Sequence, residues 1–306
     1  MYYFKILRPI NLLLIAIMMC LVKFGFLEQI NLPLSLNTPT FIALLLATLC
    51  ITAAGNIIND IYDQSIDAIN KPHKRIIGIH ISEQKANYYY IILNVLGVLL
   101  GFYVANVIGK PTFALVFIMT SVLLYWYASQ LKKAFVVGNI LISFLVGFTV
   151  ILFVLFDVVP SFNRLPTPLQ TAASKVLLLY ATFAFVVNLI REIVKDILDV
   201  NGDQNGEVRS IPIVMGRKRA TQLIFWIAIL FTLVLMYLMY AEWYAHQPLM
   251  LYFLLLVIAP LFFFIIKAYD AEKPKDYKLL SLLLKVILFT GIGSIMWYPQ
   301  LLTLSI

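Results

Sequence analysis

Apolar residues run through this chain in long unbroken blocks, neither alternating as in a half-buried strand nor confined to one face of a helix. Blocks at about 10–27, 40–58, 86–108, 111–130, 135–155, 176–193, 220–240, 249–266 and 279–298 are each long enough to cross roughly 30 Å of hydrocarbon as a helix. Interior glycines and prolines, Pro260 among them, are compatible with helix inside a membrane and do not divide the blocks. The pattern predicts an all-α integral membrane protein of nine transmembrane helices. No long hydrophilic insertion separates the spans, so 1–306 reads as a single domain.

Composition agrees with that picture. Hydrophobic residues make up 62% of the chain and charged residues 12%, with a mean hydropathy of +0.93, more apolar side chain than a soluble core needs. Cys20 and Cys50 both lie inside apolar blocks, which argues against a disulfide framework or a Cys/His metal site. The first block is long and no small-residue cleavage site follows it, so no cleavable signal peptide is expected. The formal net charge of +8 would suit nucleic acid, but it is concentrated between the spans, as membrane topology requires. The expected surroundings are therefore a lipid bilayer, without nucleic acid and without an evident obligate protein partner. Placing the amino terminus in the cytoplasm puts 18 of the 23 basic residues on that side, leaving Lys23, Lys110, Arg164 and Lys175 opposite and Lys285 within the last span. This bias predicts the inner membrane with a cytoplasmic amino terminus.

Acidic residues are few, and eight polar positions form a repeated pattern. After the second block, Asn56, Asp60, Asp63 and Asp67 are spaced by four, three and four residues; after the sixth, Glu192, Asp196, Asp199 and Asp203 repeat those offsets. On a helix such spacing places side chains along one stripe. The two sets are separated by an even number of spans and so face the same compartment. Carboxylates stacked one turn apart repel one another, and helix carboxyl ends already carry negative potential. Something positive must compensate. Hard oxygen donors at this density suit Mg2+, which retains water and phosphate oxygens in its shell. Lys71, Lys74, Arg75, Arg191, Lys195 and Arg209 are interleaved with the acids and can reach phosphate oxygens that a metal leaves free. Acid and base together point to an anion bridged by metal.

These stretches resemble the UbiA family of intramembrane prenyltransferases. Asn59, Asp60, Asp63 and Asp67 match its NDxxDxxxD pattern, and Asp196, Asp199 and Asp203 match DxxDxxxD. LRPIN near the amino terminus, YASQLKKAFVVGN with Lys132 and Asn139, and SIPIVMG are also similar. REIVKDILDVNGD followed by SIPIVMG looks most like the branch that makes digeranylgeranylglyceryl phosphate. The resemblance implies a UbiA-like bundle with a central cavity and transfer of a prenyl group from an allylic diphosphate to a hydrophobic acceptor, lipid or aromatic. It further implies that Asp60, Asp63, Asp67, Asp196 and Asp199, with Asn56 and Asn59, hold Mg2+ directly or through water. Asp203 completes the implied catalytic set, and Lys74, Arg75, Lys132, Arg191 and Lys195 would contact diphosphate or metal-bound water. Where relatives read NKPxRPIPSG, this chain has NKPHKRIIGI, so either Lys74 or Arg75 could take the usual arginine's place.

Other features have plainer readings. The aromatic residues suit interfacial belts and packing as well as a prenyl tunnel, and His73, His80 and His246 lack metal-ligand spacing. Lys285 can snorkel, find an internal partner or meet substrate, and Asn139 and Asn188 can serve as interhelical glue or as site residues. A quinone-pathway aromatic prenyltransferase would share the diphosphate machinery. A secondary transporter would place its charges nearer the midplane on broken helices, and the DGxxAR spacing of phosphatidyl-group transferases is absent.

Overall fold

The computed structural model describes residues 2–243 and 246–304, except for the side chains of Lys74 and of 302–304. Among the described residues there is no strand, only two isolated bridges, and nine helical stretches are long and apolar enough to cross a membrane. They are α1 Pro9–Ile30, α2 Thr38–Tyr62, α3 Glu83–Val107, α4 Pro111–Ser129, α5 Val137–Ser161, α6 Pro168–Asn205, α7 Arg217–Trp243, α8 Gln247–Tyr269 and α9 Pro274–Leu301. Each coincides with a predicted apolar block. Several start at side chains that satisfy free amides: Asn37 accepts from Thr40 N–H at 3.0 Å, and Thr167 and Gln170 form a reciprocal capping box at α6.

The largest departure from the hydropathy pattern is α6. It runs unbroken for 38 residues, roughly 57 Å at 1.5 Å per residue, so its last turns extend past an apolar core of roughly 30 Å. Hydropathy detects only the apolar part, whereas the charged continuation stays helical because it packs on the rest of the protein. α2 does the opposite. It ends at Tyr62, Asp63 takes a non-helical conformation, and a short helix Gln64–Asn70 resumes at an angle. The first acidic set is thus bent at Asp63, while the second lies on one straight rod.

The helices bearing these sets are also the most interior. Over their apolar windows α2 and α6 are each 56% buried, against 17–44% for the other seven. α2 packs along α3 and α4, and α6 along α5 and α9. At one crossing the α5 backbone comes so near α6 that a Cβ on Gly147 would lie 2.6 Å from the Ala181 carbonyl oxygen, a close approach open to small residues alone.

At the end of the bundle opposite the acidic sets, Lys23 and Asp157 form an ion pair of 2.9 Å, with side chains 1% and 0% exposed. Lys23 also donates to the Leu36 carbonyl at 2.7 Å, and Leu36 N–H donates to Asp157 Oδ1 at 2.8 Å. Both charges sit on π-helical turns, Leu21–Phe26 and Val154–Val158, where the widened helix turns them inward. The pair ties α1, α5 and the 31–37 connection into one joint. Asp157→Ala leaves the Lys23 ammonium buried with only the Glu28 carboxylate, at 3.7 Å, for a counter-charge. It is expected to lower stability in detergent on the order of 3–5 kcal/mol, and the apolar double replacement Lys23→Met/Asp157→Leu is expected to recover most of that loss. A thermal melt of Asp157→Ala superimposable on the parent would show that the joint contributes nothing.

Candidate functional site

A cavity of about 650 Å³ opens among α1, α2, α4, α5, α6 and α9. Its floor is apolar, formed by residues such as Met18, Ile51, Phe117, Val146, Leu152 and Ile292. Its other end carries Asn56, Asn59, Asp60, Asp63 and Asp67 from the first set and Glu192, Asp196, Asp199 and Asp203 from the second, along with Arg8, Lys71, Lys132, Arg191 and Lys195. The two stripes recognised in sequence therefore line one space. Arg75 is not among the lining residues; it lies in the 71–82 loop with a buried Nε that has no partner. The Lys74 side chain, also expected at phosphate, lies outside the described residues.

The stripes are brought together by a contact absent from any motif. Asn70, at the end of the short helix, donates its amide to the Asp199 carbonyl at 2.8 Å and accepts from Gly202 N–H at 2.8 Å. A Cβ on Gly202 would sit 2.4 Å from Asn70 Nδ2 and 2.7 Å from the Ile66 carbonyl oxygen, so glycine is what lets the short helix dock on α6. The neighbouring Lys71 then reaches Asp199 at 2.6 Å and stands 4.0 Å from Asp67, a cation shared between the two stripes.

Most of the acids are matched locally. Arg8 donates to Asp60 at 2.5 Å, Lys132 and Asn59 both donate to Asp63, and Asn139 donates to Asp196 at 2.8 Å. Glu192 is held by Lys195 at 2.7 Å and by Arg191 at 3.4 Å. Two of these cations stand on or beside unusual backbone: Arg8 itself has φ 55°, and Val136, at the turn between Lys132 and Asn139, has φ 65°. A β-branched residue there is strained, and such strain gathers at functional sites. Outside the spans, burial pushes the Asp67 carboxyl up, opposed by Lys71 and reinforced by Asp63 and Asp60. Burial would lower the Lys71 ammonium, but Asp199 and Asp67 outweigh it and hold it above its usual range.

The donor set suits a hard divalent cation, being oxygen throughout. Among the described residues no three acidic, His or Cys side chains converge as a ready cluster; in this arrangement Asp60, Asp63, Asp199 and Glu192 are paired with the protein's own cations. Those cations are the groups able to turn to phosphate oxygens.

A sequence profile of the UbiA prenyltransferase family matches residues 11–289. The chain belongs to that family. As a UbiA-family prenyltransferase it is a multi-pass integral membrane enzyme. The chain is 37% identical over 220 residues to the digeranylgeranylglyceryl phosphate synthase of Methanothermobacter thermautotrophicus, covering 71% of this chain and 67% of that one. To the synthase of the same name from Methanosphaera stadtmanae it is 30% identical, covering 85% of each. The fold is that of a solved digeranylgeranylglyceryl phosphate synthase, with a TM-score of 0.60 at 23% identity over 96% of this chain and 98% of that one. A UbiA homologue from Archaeoglobus fulgidus, solved with GPP and Mg2+ bound, gives a TM-score of 0.60 at 16% identity over 96% and 98%.

Sequence reasoning passed over Asn70, Gly202 as a contact, and the role of Lys71 as a bridge. The only available signal was an amide three residues after Asp67 and a glycine between Asp199 and Asp203. Asn139, left open as glue or site, bonds Asp196; Asn188 lies 3.4 Å from Ser143 and also lines the cavity. Gly202→Ala is expected to separate the stripes and slow prenyl transfer on the order of a hundredfold, with little change in melting temperature. Gly206→Ala meets the Ile66 side chain at 2.7 Å and, among backbone atoms, the Gly202 carbonyl oxygen at an ordinary 3.6 Å, and should stay near the parent rate. Equal initial rates for Gly202→Ala and the parent would show that the spacing of the stripes does not depend on this contact.

Proposed function

We propose that this enzyme transfers a geranylgeranyl group from its allylic diphosphate to geranylgeranylglyceryl phosphate, with the whole chain acting as one transmembrane prenyltransferase domain. The carrying observation is the cavity itself, in which two acidic stripes and their lysines face each other above an apolar floor. The names of the relatives from Methanothermobacter and Methanosphaera support the acceptor, and the basic residues gathered at one end of the spans support a cytoplasmic mouth.

Asp60, Asp63 and Asp67 from the first stripe, with Asp196, Asp199 and Asp203 from the second and Asn56 and Asn59 beside them, would hold Mg2+. When bound, that ion supplies positive charge to the diphosphate as the carbon–oxygen bond breaks. Lys71, Lys132 and Lys195 bind the remaining phosphate oxygens and stabilise the charge that develops there. The allylic carbon leaves its electron pair with the departing diphosphate and bonds to the acceptor oxygen, whose proton is lost. The apolar floor takes the prenyl chain and keeps water from the electron-poor carbon.

Asp63→Ala and Asp199→Ala are each expected to lower the rate of diphosphate release by at least about a hundredfold while the protein remains inserted and monodisperse. Chelation should silence the parent, and Mg2+ should restore it. Purified protein would be given geranylgeranyl or farnesyl diphosphate with geranylgeranylglyceryl phosphate, hydroxybenzoate, homogentisate or a naphthoate. Parental rates in either aspartate variant would overturn the site assignment, and turnover with an aromatic acid alone would overturn the acceptor.

A further inference from the structure

The diphosphate machinery leaves Lys285, among the charged residues of the cavity, unused. Lys285 lies within α9 and lines the same cavity, and its ammonium donates to the Asn11 side chain at 3.0 Å. Among the described residues it has no carboxylate partner. A lysine inside a span without a counter-charge is costly unless its function supplies one. Its surroundings are short of negative charge as well. Arg191 and Lys195 share a single carboxylate, Glu192, and Arg191 keeps a buried Nε with no partner.

Arg191 adjoins Glu192, the innermost acid of the second stripe, and position separates this group from the rest of the stripes. Asn11 is three residues further into the membrane than Arg8, which holds Asp60. Arg191 stands eight residues, roughly 12 Å along α6, before Asp199. The basic pair therefore faces the membrane side of the cavity, beneath the stripes and above the apolar floor. We propose that Lys285 and Arg191, with Asn11 orienting the lysine, form a second anion subsite that receives the phosphate monoester of the lipid acceptor. This rests on the transferase reading above and names what selects its acceptor. An acceptor whose tail lies among the apolar residues would place its headgroup under the ammonium and guanidinium, and its free hydroxyl toward the diphosphate.

The test compares the parent, Lys285→Met and Lys285→Arg in detergent, using geranylgeranylglyceryl phosphate, the same lipid lacking phosphate, and hydroxybenzoate. Lys285→Met is expected to raise KM for the phosphorylated lipid at least about tenfold while leaving KM for geranylgeranyl diphosphate unchanged. Its preference for the phosphorylated over the dephosphorylated lipid should collapse, and Lys285→Arg should keep most of it. Direct binding of the phosphorylated lipid without prenyl diphosphate should weaken in parallel. The subsite is overturned if Lys285→Met binds that lipid as the parent does, if KM rises for the diphosphate instead, if only hydroxybenzoate is affected, or if the parent does not bind the lipid. The transferase reading fails on a different result, absence of metal-dependent diphosphate release by the parent with every acceptor.

Discussion

Everything at the charged end of the cavity depends on one side chain crossing from the first acidic segment to the second. Asn70 saturates its amide on the backbone of α6, at the Asp199 carbonyl and Gly202 N–H. A backbone contact fixes position more firmly than a pair of exposed charges, whose worth is small and screened by salt. Lys71 follows directly in sequence and so reaches Asp199 without a further search. The bend at Asp63 makes this possible, since a straight continuation of α2 would carry Asp67 away along its own axis.

Around that joint the site is a balance of opposite charges held part-way out of water. Asp60, Asp63, Asp199 and Glu192 each have a cation in contact, and removing one member of such a pair leaves the other uncompensated. A ligand that brings both metal and phosphate can exchange partners within this set while preserving neutrality. The strained backbone at Arg8 and Val136 is consistent with cations held where the ligand needs them.

Much of this was legible in the sequence because the membrane constrains helices so strongly. Span number follows from hydropathy, since backbone polar groups in lipid must be satisfied within each segment. The shared face of the acids follows from the repeated offsets and the even number of spans. What stayed hidden depends on contacts distant in sequence. The break at Asp63 has no proline or glycine to announce it. Asn70 and Gly202 are 132 residues apart, and nothing local pairs them. Lys23 looks like an isolated polar residue in an apolar block, and Asp157 like one just past the end of another, until two π-helical turns aim them at each other. The place of Arg75 outside the cavity lining likewise follows from how the 71–82 loop buries its own Ile77 and Ile81 against Ile6, Ile57 and Ala86.

The length of α6 has a consequence for life in real bilayers. A rod that overhangs the hydrocarbon can tilt or slide as lipid composition alters thickness, and its carboxylates must travel with it. Because the short helix Gln64–Asn70 is fastened to that rod and joined to α2 through the bend at Asp63, the opposing acids are carried along. Registry between the two halves of the chemistry is thereby insulated from the fluctuating depth of the lipid around it.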